Sequence, residues 1–384
     1  MNTSPMPIDG IVLIAGAGIG GLALGCALQR AGIEFEIFER TSTLRESGAG
    51  ILVQAGAMQA LRHIGLDSQV ANRGHDLQSG TGKNMAGTVL STTRLDGLPA
   101  PTVAIHRGVL QSTFLGILEK SRVHTAKAIA GFEQDQSGVR LLFEDGTHSS
   151  SGALLIGADG LRSAVRRQLL GDEEPRYAGY TSWRGIAALA GLTPAHEILE
   201  IWGRGLRFGI VPLGPDETYW FAVANSVAGE VDIDSRAVVL ERFTQFSDAV
   251  LALVQGTPSD RILRTDIQDR KPVRSWSSGR VALLGDAAHP TTPNLGQGGG
   301  MAIEDAVVLA HCLSSRMGVA DALAAYEARR VARTTVIVNA SWQFGRLAQL
   351  DGRVSCWLRD LALRATPQSV IQRRLRESAH FSLD

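Results

Sequence analysis

Apolar residues run without a charge from Ile11 to Leu28, but the run changes character half-way. Residues 11–15 are continuously apolar, as in a buried parallel strand, and the glycines that follow predict a tight turn. Residues 21–31 then carry the spacing of a helix, stopped by Gly32, and residues 34–39 (EFEIFE) alternate as a second strand. Strand, turn, helix and strand make one βαβ unit. The uncharged stretch approaches the length of a membrane span. However, Gly16, Gly18, Gly20, Gly21 and Gly25 interrupt it, and Asp9 stands where a signal peptide carries positive charge, so no integral membrane segment is expected.

The pattern changes in the middle of the chain. Parts of residues 186–201, then 206–213 and 218–225, read as strands separated by turn residues such as Gly214-Pro215-Asp216, which predicts an antiparallel sheet. Residues 235–255 read as one amphipathic helix behind an Asp234/Ser235 cap. From Val281 the chain returns to a buried strand, a glycine-rich loop and a helix over residues 301–312. Residues 342–363 show helical spacing with interspersed arginines. They predict a helix packed on the dinucleotide-binding domain, with a peripheral membrane face left open. No repeat or low-complexity linker separates these parts, so the domains are expected to interleave.

Composition narrows the function. The chain has 384 residues, enough for two domains, and its 38 basic and 38 acidic residues cancel. No global field favours nucleic acid or an anionic membrane, which points to a small-molecule substrate. Cys26, Cys312 and Cys356 are scattered, with no CxxC pair, so neither a disulfide framework nor a metal site is expected, and a reducing cytoplasm fits.

Three segments carry the chemistry. Gly16-x-Gly18-x-x-Gly21 follows a strand and opens a helix: Gly16 permits the turn, Gly18 lets a pyrophosphate approach, and Gly21 packs the helix closely, with Gly20 in the same turn. Glu39 closes the second strand, where a carboxylate would bind ribose hydroxyls, and Arg40 and Arg45 are placed to assist at phosphate or adenosine. Asp159 and Asp286 each end an apolar strand, where a carboxylate needs hydrogen bonds from a ligand hydroxyl or from the helix it caps. PNLGQGGG, from Pro293 to Gly300, would aim backbone N–H groups and a helix N-terminus at an electron-rich ring. His106 and His289 flank these motifs and read either as acid–base groups or as structural hydrogen-bonding residues. Arg207 and Tyr219 fall on adjacent strands of the second domain, as a wall of a substrate pocket or as ordinary surface and core residues.

Together these residues resemble the FAD-dependent aromatic hydroxylases of the para-hydroxybenzoate hydroxylase type, the group A flavoprotein monooxygenases. GADGLRSAVR is similar to that family's Asp-Gly motif and LLGDAAHPTTPNLGQG to its Gly-Asp motif, while Arg107 and Gln111 in HRGVLQ look like its FAD-contacting pair. Within the family, IWGRGLRFGIVPL and YAGYTSWRG are similar to the quinolone monooxygenases and the urate hydroxylases. The resemblance implies FAD held by Gly16, Gly18, Gly20, Gly21, Glu39, Arg40, Arg45, Gly50, Arg107, Gln111, Asp159, Gly285, Asp286, Gly296, Gly298 and Gly299, with Arg207, Tyr219 and Pro293 at the reacting centre. It implies reduction by NADH or NADPH, reaction with O2 and hydroxylation of an aromatic or heterocyclic molecule through a flavin hydroperoxide. Small residues at Gly48-Ala49-Gly50 and over 296–300 would let a ring swing between two positions. A flavin dehydrogenase, reductase or epoxidase is the alternative. The fold expected is α/β: a Rossmann-like FAD-binding domain (1–170 and 276–340) interleaved with an antiparallel-sheet substrate domain (171–275) and followed by a C-terminal helical region (341–384), as a monomer or homodimer.

Overall fold

The computed structural model describes residues 10–44, 49–315 and 317–383. A six-stranded sheet forms the floor of the molecule, in the order Ser277–Ser278, Val281–Leu283, Leu154–Gly157, Val12–Ala15, Phe35–Phe38, Val123–His124. Its pairings are parallel apart from the Ser277–Ser278 edge. Val12, Leu13, Ile14 and Ala15 are all buried, as a strand covered on both faces requires. The helix Ile19–Ala31 lies on this sheet, is buried from Leu22 to Leu28, and stops at Gly32 in the left-handed conformation. The helix Gly298–Ser314 packs across it. The long uncharged stretch is therefore strand, turn and core helix, and no helix among the described residues is long and apolar enough to cross a membrane.

A seven-stranded sheet stands over the site, in the order Leu263–Asp269, Arg176–Ala187, Thr218–Asn225, Leu206–Pro212, Glu197–Trp202, Ser79–Asn84, Val89–Arg94. Its last two strands come from early in the chain, so the two halves interleave as expected. One junction departs from the antiparallel expectation: Glu197–Trp202 pairs in parallel with Ser79–Asn84, because that hairpin is added from another part of the chain.

Two helical expectations need correction. Residues 235–255 form two helices, Ser235–Arg242 and Asp248–Gln255, and Asp234 caps the first by accepting from the N–H groups of Arg236 and Ala237. The break turns Phe243 and Phe246 inward onto Phe208, so burial of two aromatic rings outweighs helical continuity. Residues 342–363 also divide, between the ends of Val319–Ala348 and Arg353–Ala365. The second of these packs on the strand Val89–Arg94 of the upper sheet instead of on the dinucleotide-binding sheet, because buried Arg359 stacks 5.3 Å from the Trp202 ring and donates to the Gly203 carbonyl.

Candidate functional site

The glycine turn shows why each glycine is there. Gly16 has φ +103°, and a Cβ on it would lie 2.6 Å from the Ala158 carbonyl oxygen, so only glycine fits. At Gly21 a Cβ would run into the Gly16 carbonyl. Gly18 is the opposite case, with extended backbone and nothing within 4 Å of an added Cβ. No side chain caps the helix that starts there and its first turn carries no acid, which leaves backbone N–H donors for an anion in that open space. Glu39 closes the lip, accepting from Ala17 N at 2.9 Å and from Thr41 N at 3.0 Å. Arg40 is exposed nearby, and Arg45 lies outside the described residues, as does Gly48.

A second uncapped helix start converges on the same cleft. Gly298–Ser314 has neither a side-chain cap nor an acid in its first turn, and a Cβ on Gly299 would meet Ile51 at 2.6 Å and Ile19 at 3.9 Å. Both helix dipoles therefore point their positive ends to one place. Gly285 (φ +61°) begins the short turn that carries Asp286, whose side chain is exposed yet ringed by protein. Desolvation pushes its carboxyl above the usual range, opposed by the charges of His289 and Arg107. The carboxylate is thus open to solvent yet desolvated by the protein around it. Arg107 is exposed and faces it, Gly298 lies beside it, and Gln111 donates to the Ala17 carbonyl at 3.5 Å.

Asp159 is engaged within its own loop, accepting from Ser163 Oγ at 2.5 Å, Ala164 N at 2.8 Å and Val165 N at 3.3 Å, so it caps the helix Ala164–Leu170. Burial raises its carboxyl and those bonds oppose the rise. Arg166, which sequence reasoning passed over, is buried and donates to the carbonyls of Ala287 and Ala288, tying the Asp159 loop to the Asp286 turn. Its only signal was its place in GADGLRSAVR.

The upper sheet brings Arg207 and Tyr219 to this side on adjacent strands. Arg207 is only 3% exposed and donates to Gln349 Oε1 (2.8 Å) and Asn294 Oδ1 (2.7 Å), with Glu200 Oε1 at 3.1 Å. Asn294 in turn donates to the Tyr180 hydroxyl at 2.7 Å and belongs to the turn Pro293–Leu295, in which Pro293 is exposed and which ends at Gly296 (φ +63°). The arginine thus ties the sheet and the C-terminal bend to the glycine-rich loop. Tyr219 lies against Gly50, where a Cβ would come within 2.5 Å of its ring, so the small residue there makes room for tyrosine. Desolvation raises the Tyr219 hydroxyl, and Arg184 opposes the rise. A groove of about 650 Å³, lined by Tyr180, Asn225, Gln343, Arg346 and Gln349 among others, opens at the outer end of this network, and neither Asp286 nor the glycines of the two helix starts line it.

Each histidine faces a carboxylate. His106 faces Glu217 at 3.0 Å, and His289 is buried against Trp276 with Asp305 at 2.5 Å. Asp305 also accepts from Gly285 N (3.1 Å) and Arg330 (2.6 Å). Although burial alone would raise Asp305, His289 and Arg330 hold it at about 2. This buried network fixes the Gly285–Asp286 turn from below. Among the described residues no cluster of His, Cys, Asp and Glu could hold a metal ion.

Residues 9–341 match the FAD binding domain family. The chain is 45% identical to aurachin C monooxygenase/isomerase of Stigmatella aurantiaca, over 97% of this chain and 98% of that protein. It is 35% identical to 2-heptyl-3-hydroxy-4(1H)-quinolone synthase of Pseudomonas aeruginosa, over 95% and 96%. It superposes on the crystal structure of Klebsiella pneumoniae HpxO with FAD and uric acid with a TM-score of 0.91 at 29% identity, covering 98% of each chain.

Proposed function

The chain belongs to the FAD binding domain family, among FAD-dependent monooxygenases of aromatic and heterocyclic molecules, and from that premise we propose that it hydroxylates a small nitrogen heterocycle of quinolone type using NADH or NADPH and O2. The observation that carries this reading is the convergence of two uncapped helix N-termini, the accessible Asp286 and the open space at Gly18 on one cleft, beneath the Arg207 and Tyr219 strands. These residues fit FAD. The pyrophosphate would take the open space at Gly18, Asp286 a ribityl hydroxyl, Glu39 the ribose, and the N-terminus of Gly298–Ser314 the electron-rich end of the ring. When bound, the cofactor takes electrons from the nicotinamide and delivers activated oxygen to an electron-rich ring.

The chain's own residues supply position and shielding. With its pKa raised, the Tyr219 phenol stays protonated at neutral pH and acts as a hydrogen-bond donor to a carbonyl-bearing ring. Arg207 acts through Asn294, holding the Pro293 turn at the edge of the ring site. Identity of 45% to the aurachin C enzyme and 35% to the quinolone synthase, against 33% to FAD-dependent urate hydroxylase, supports a quinolone over urate.

A panel of quinolones, phenols and purines added to the FAD-loaded protein tests this. One ring class should accelerate NADH or NADPH oxidation at least about tenfold, equivalent to about 1.4 kcal/mol of barrier, and anaerobic stopped-flow should show the same gain in bleaching of the yellow colour. A panel that leaves the rate unchanged refutes the substrate class. Equal bleaching with and without a verified substrate refutes gating by substrate.

A further inference from the structure

The helix Arg353–Ala365 turns an apolar face outward. Val354 is 69% exposed, Trp357 63%, Leu358 51% and Leu361 48%, a spacing that places all four on one stripe. The opposite face holds the helix down: Cys356 and Arg359 are buried, Arg359 donates to the carbonyls of Gly203 and Ala348, and Asp360 pairs with it at 2.8 Å. The stripe is therefore presented by a fixed helix.

Charge indicates what covers it. Arg353 and Arg364 are exposed, lie within about 20° of each other along one edge of the stripe, and make no ion pair among the described residues. Residues 341–384 hold seven arginines against four carboxylates, in a chain whose total charge is zero. Arg373, Arg374 and Arg376 on the next helix, Gln368–Ala379, are exposed as well. Antiparallel pairing of this face with a second copy about a two-fold axis would bring like-charged edges together. An anionic headgroup layer supplies the opposite charge and an apolar layer beneath it. Tryptophan and leucine on one side with arginine at the edge is also the composition of helices that lie in a membrane interface.

We propose that this helix seats the protein on an anionic phospholipid surface, with Val354, Trp357, Leu358 and Leu361 among the acyl chains and Arg353 and Arg364 at the headgroups. The contact is peripheral and reversible. It does not depend on the substrate assigned above.

Flotation of the full-length, FAD-loaded protein with vesicles tests this, comparing phosphatidylcholine alone with phosphatidylcholine mixed with phosphatidylglycerol. Binding to the mixed vesicles should be roughly thirtyfold tighter, the effect of two surface cations at an anionic membrane, and should weaken as salt is raised. The double variant Trp357→Gln/Leu358→Gln should lose at least about tenfold in binding while keeping its FAD content and circular dichroism. Arg353→Gln/Arg364→Gln should flatten the lipid preference. Absence of the wild-type protein from the mixed vesicles, or equal binding by the Trp357/Leu358 variant, overturns the proposal. So does a wild-type dimer in light scattering that Leu358→Gln converts to monomer, because the partner would then be a second copy.

Discussion

Gly18 and Gly21 sit three residues apart in one motif, yet the structure predicts opposite outcomes for alanine at the two positions. At Gly18 the backbone is extended (φ −69°, ψ −178°), a conformation alanine adopts freely, and an added methyl meets nothing within 4 Å. Gly18→Ala should therefore leave the apoprotein as stable as wild type or about 0.4–1 kcal/mol more so, because the unfolded chain loses freedom. The same methyl would occupy the space assigned to the pyrophosphate. Displacing one charge-assisted hydrogen bond from a phosphate costs about 1.5–3 kcal/mol, or roughly ten- to hundredfold in FAD affinity. Gly21→Ala instead drives a methyl into the Gly16 carbonyl. Overpacking of that kind costs about 1–3 kcal/mol, reduced by up to about 1 kcal/mol from alanine's better helix propensity. Thermal unfolding of the apoproteins and fluorescence titration with FAD separate the two effects. If Gly18→Ala binds FAD as tightly as wild type, the open space is not the phosphate seat and the assignment of the cleft fails.

Three further outcomes follow from the site. Asp286→Ala should give a folded but nearly colourless protein, with FAD affinity down roughly ten- to hundredfold; stoichiometric FAD at unchanged affinity in a titration would refute the ribityl contact. Arg207→Ala leaves Gln349, Asn294 and Glu200 without their shared donor inside the protein, so denaturant unfolding should show a loss of about 2–4 kcal/mol, whereas Tyr219→Phe should leave stability nearly unchanged and raise KM for the true substrate. Asp305 has its folded-state pKa depressed from 3.8 to about 2, so its contribution is fully present above about pH 4 and is lost as the pH falls toward 2. That contribution is about 2 kcal/mol, and Asp305→Asn should flatten this part of the acid-stability profile; an unchanged profile would show that another group dominates there.

What the sequence revealed and what it hid follow from the range of the interactions involved. The glycine motif was legible because backbone geometry leaves no other residue at Gly16 or Gly21, and the strand at residues 12–15 because burial on both faces demands a continuous apolar run. The pairing of the Arg207 and Tyr219 strands was legible from the turn between them. Asp159 stayed ambiguous because a carboxylate at a strand end can cap a helix or hold a ligand, and its bonds to Ser163, Ala164 and Val165 form only once the loop folds. Helical spacing continued through Phe243–Ser247, so it could not disclose that two phenylalanines would turn inward there. Nor could it tell which sheet the C-terminal helix would meet, since that rests on Arg359 finding Trp202, far away in sequence. The buried group of His289, Asp305 and Arg330 joins residues 16 and 25 apart along the chain, and no local pattern announces it.

The central claim is that oxygen from O2 enters an organic product. The FAD-loaded protein, supplied with NADH or NADPH, isotopically labelled O2 and whichever ring compound accelerates nicotinamide oxidation, should yield a hydroxylated product carrying one labelled oxygen atom by mass spectrometry. A product that takes its oxygen from water, or one that is oxidised with no oxygen gained, would contradict the assignment as a monooxygenase.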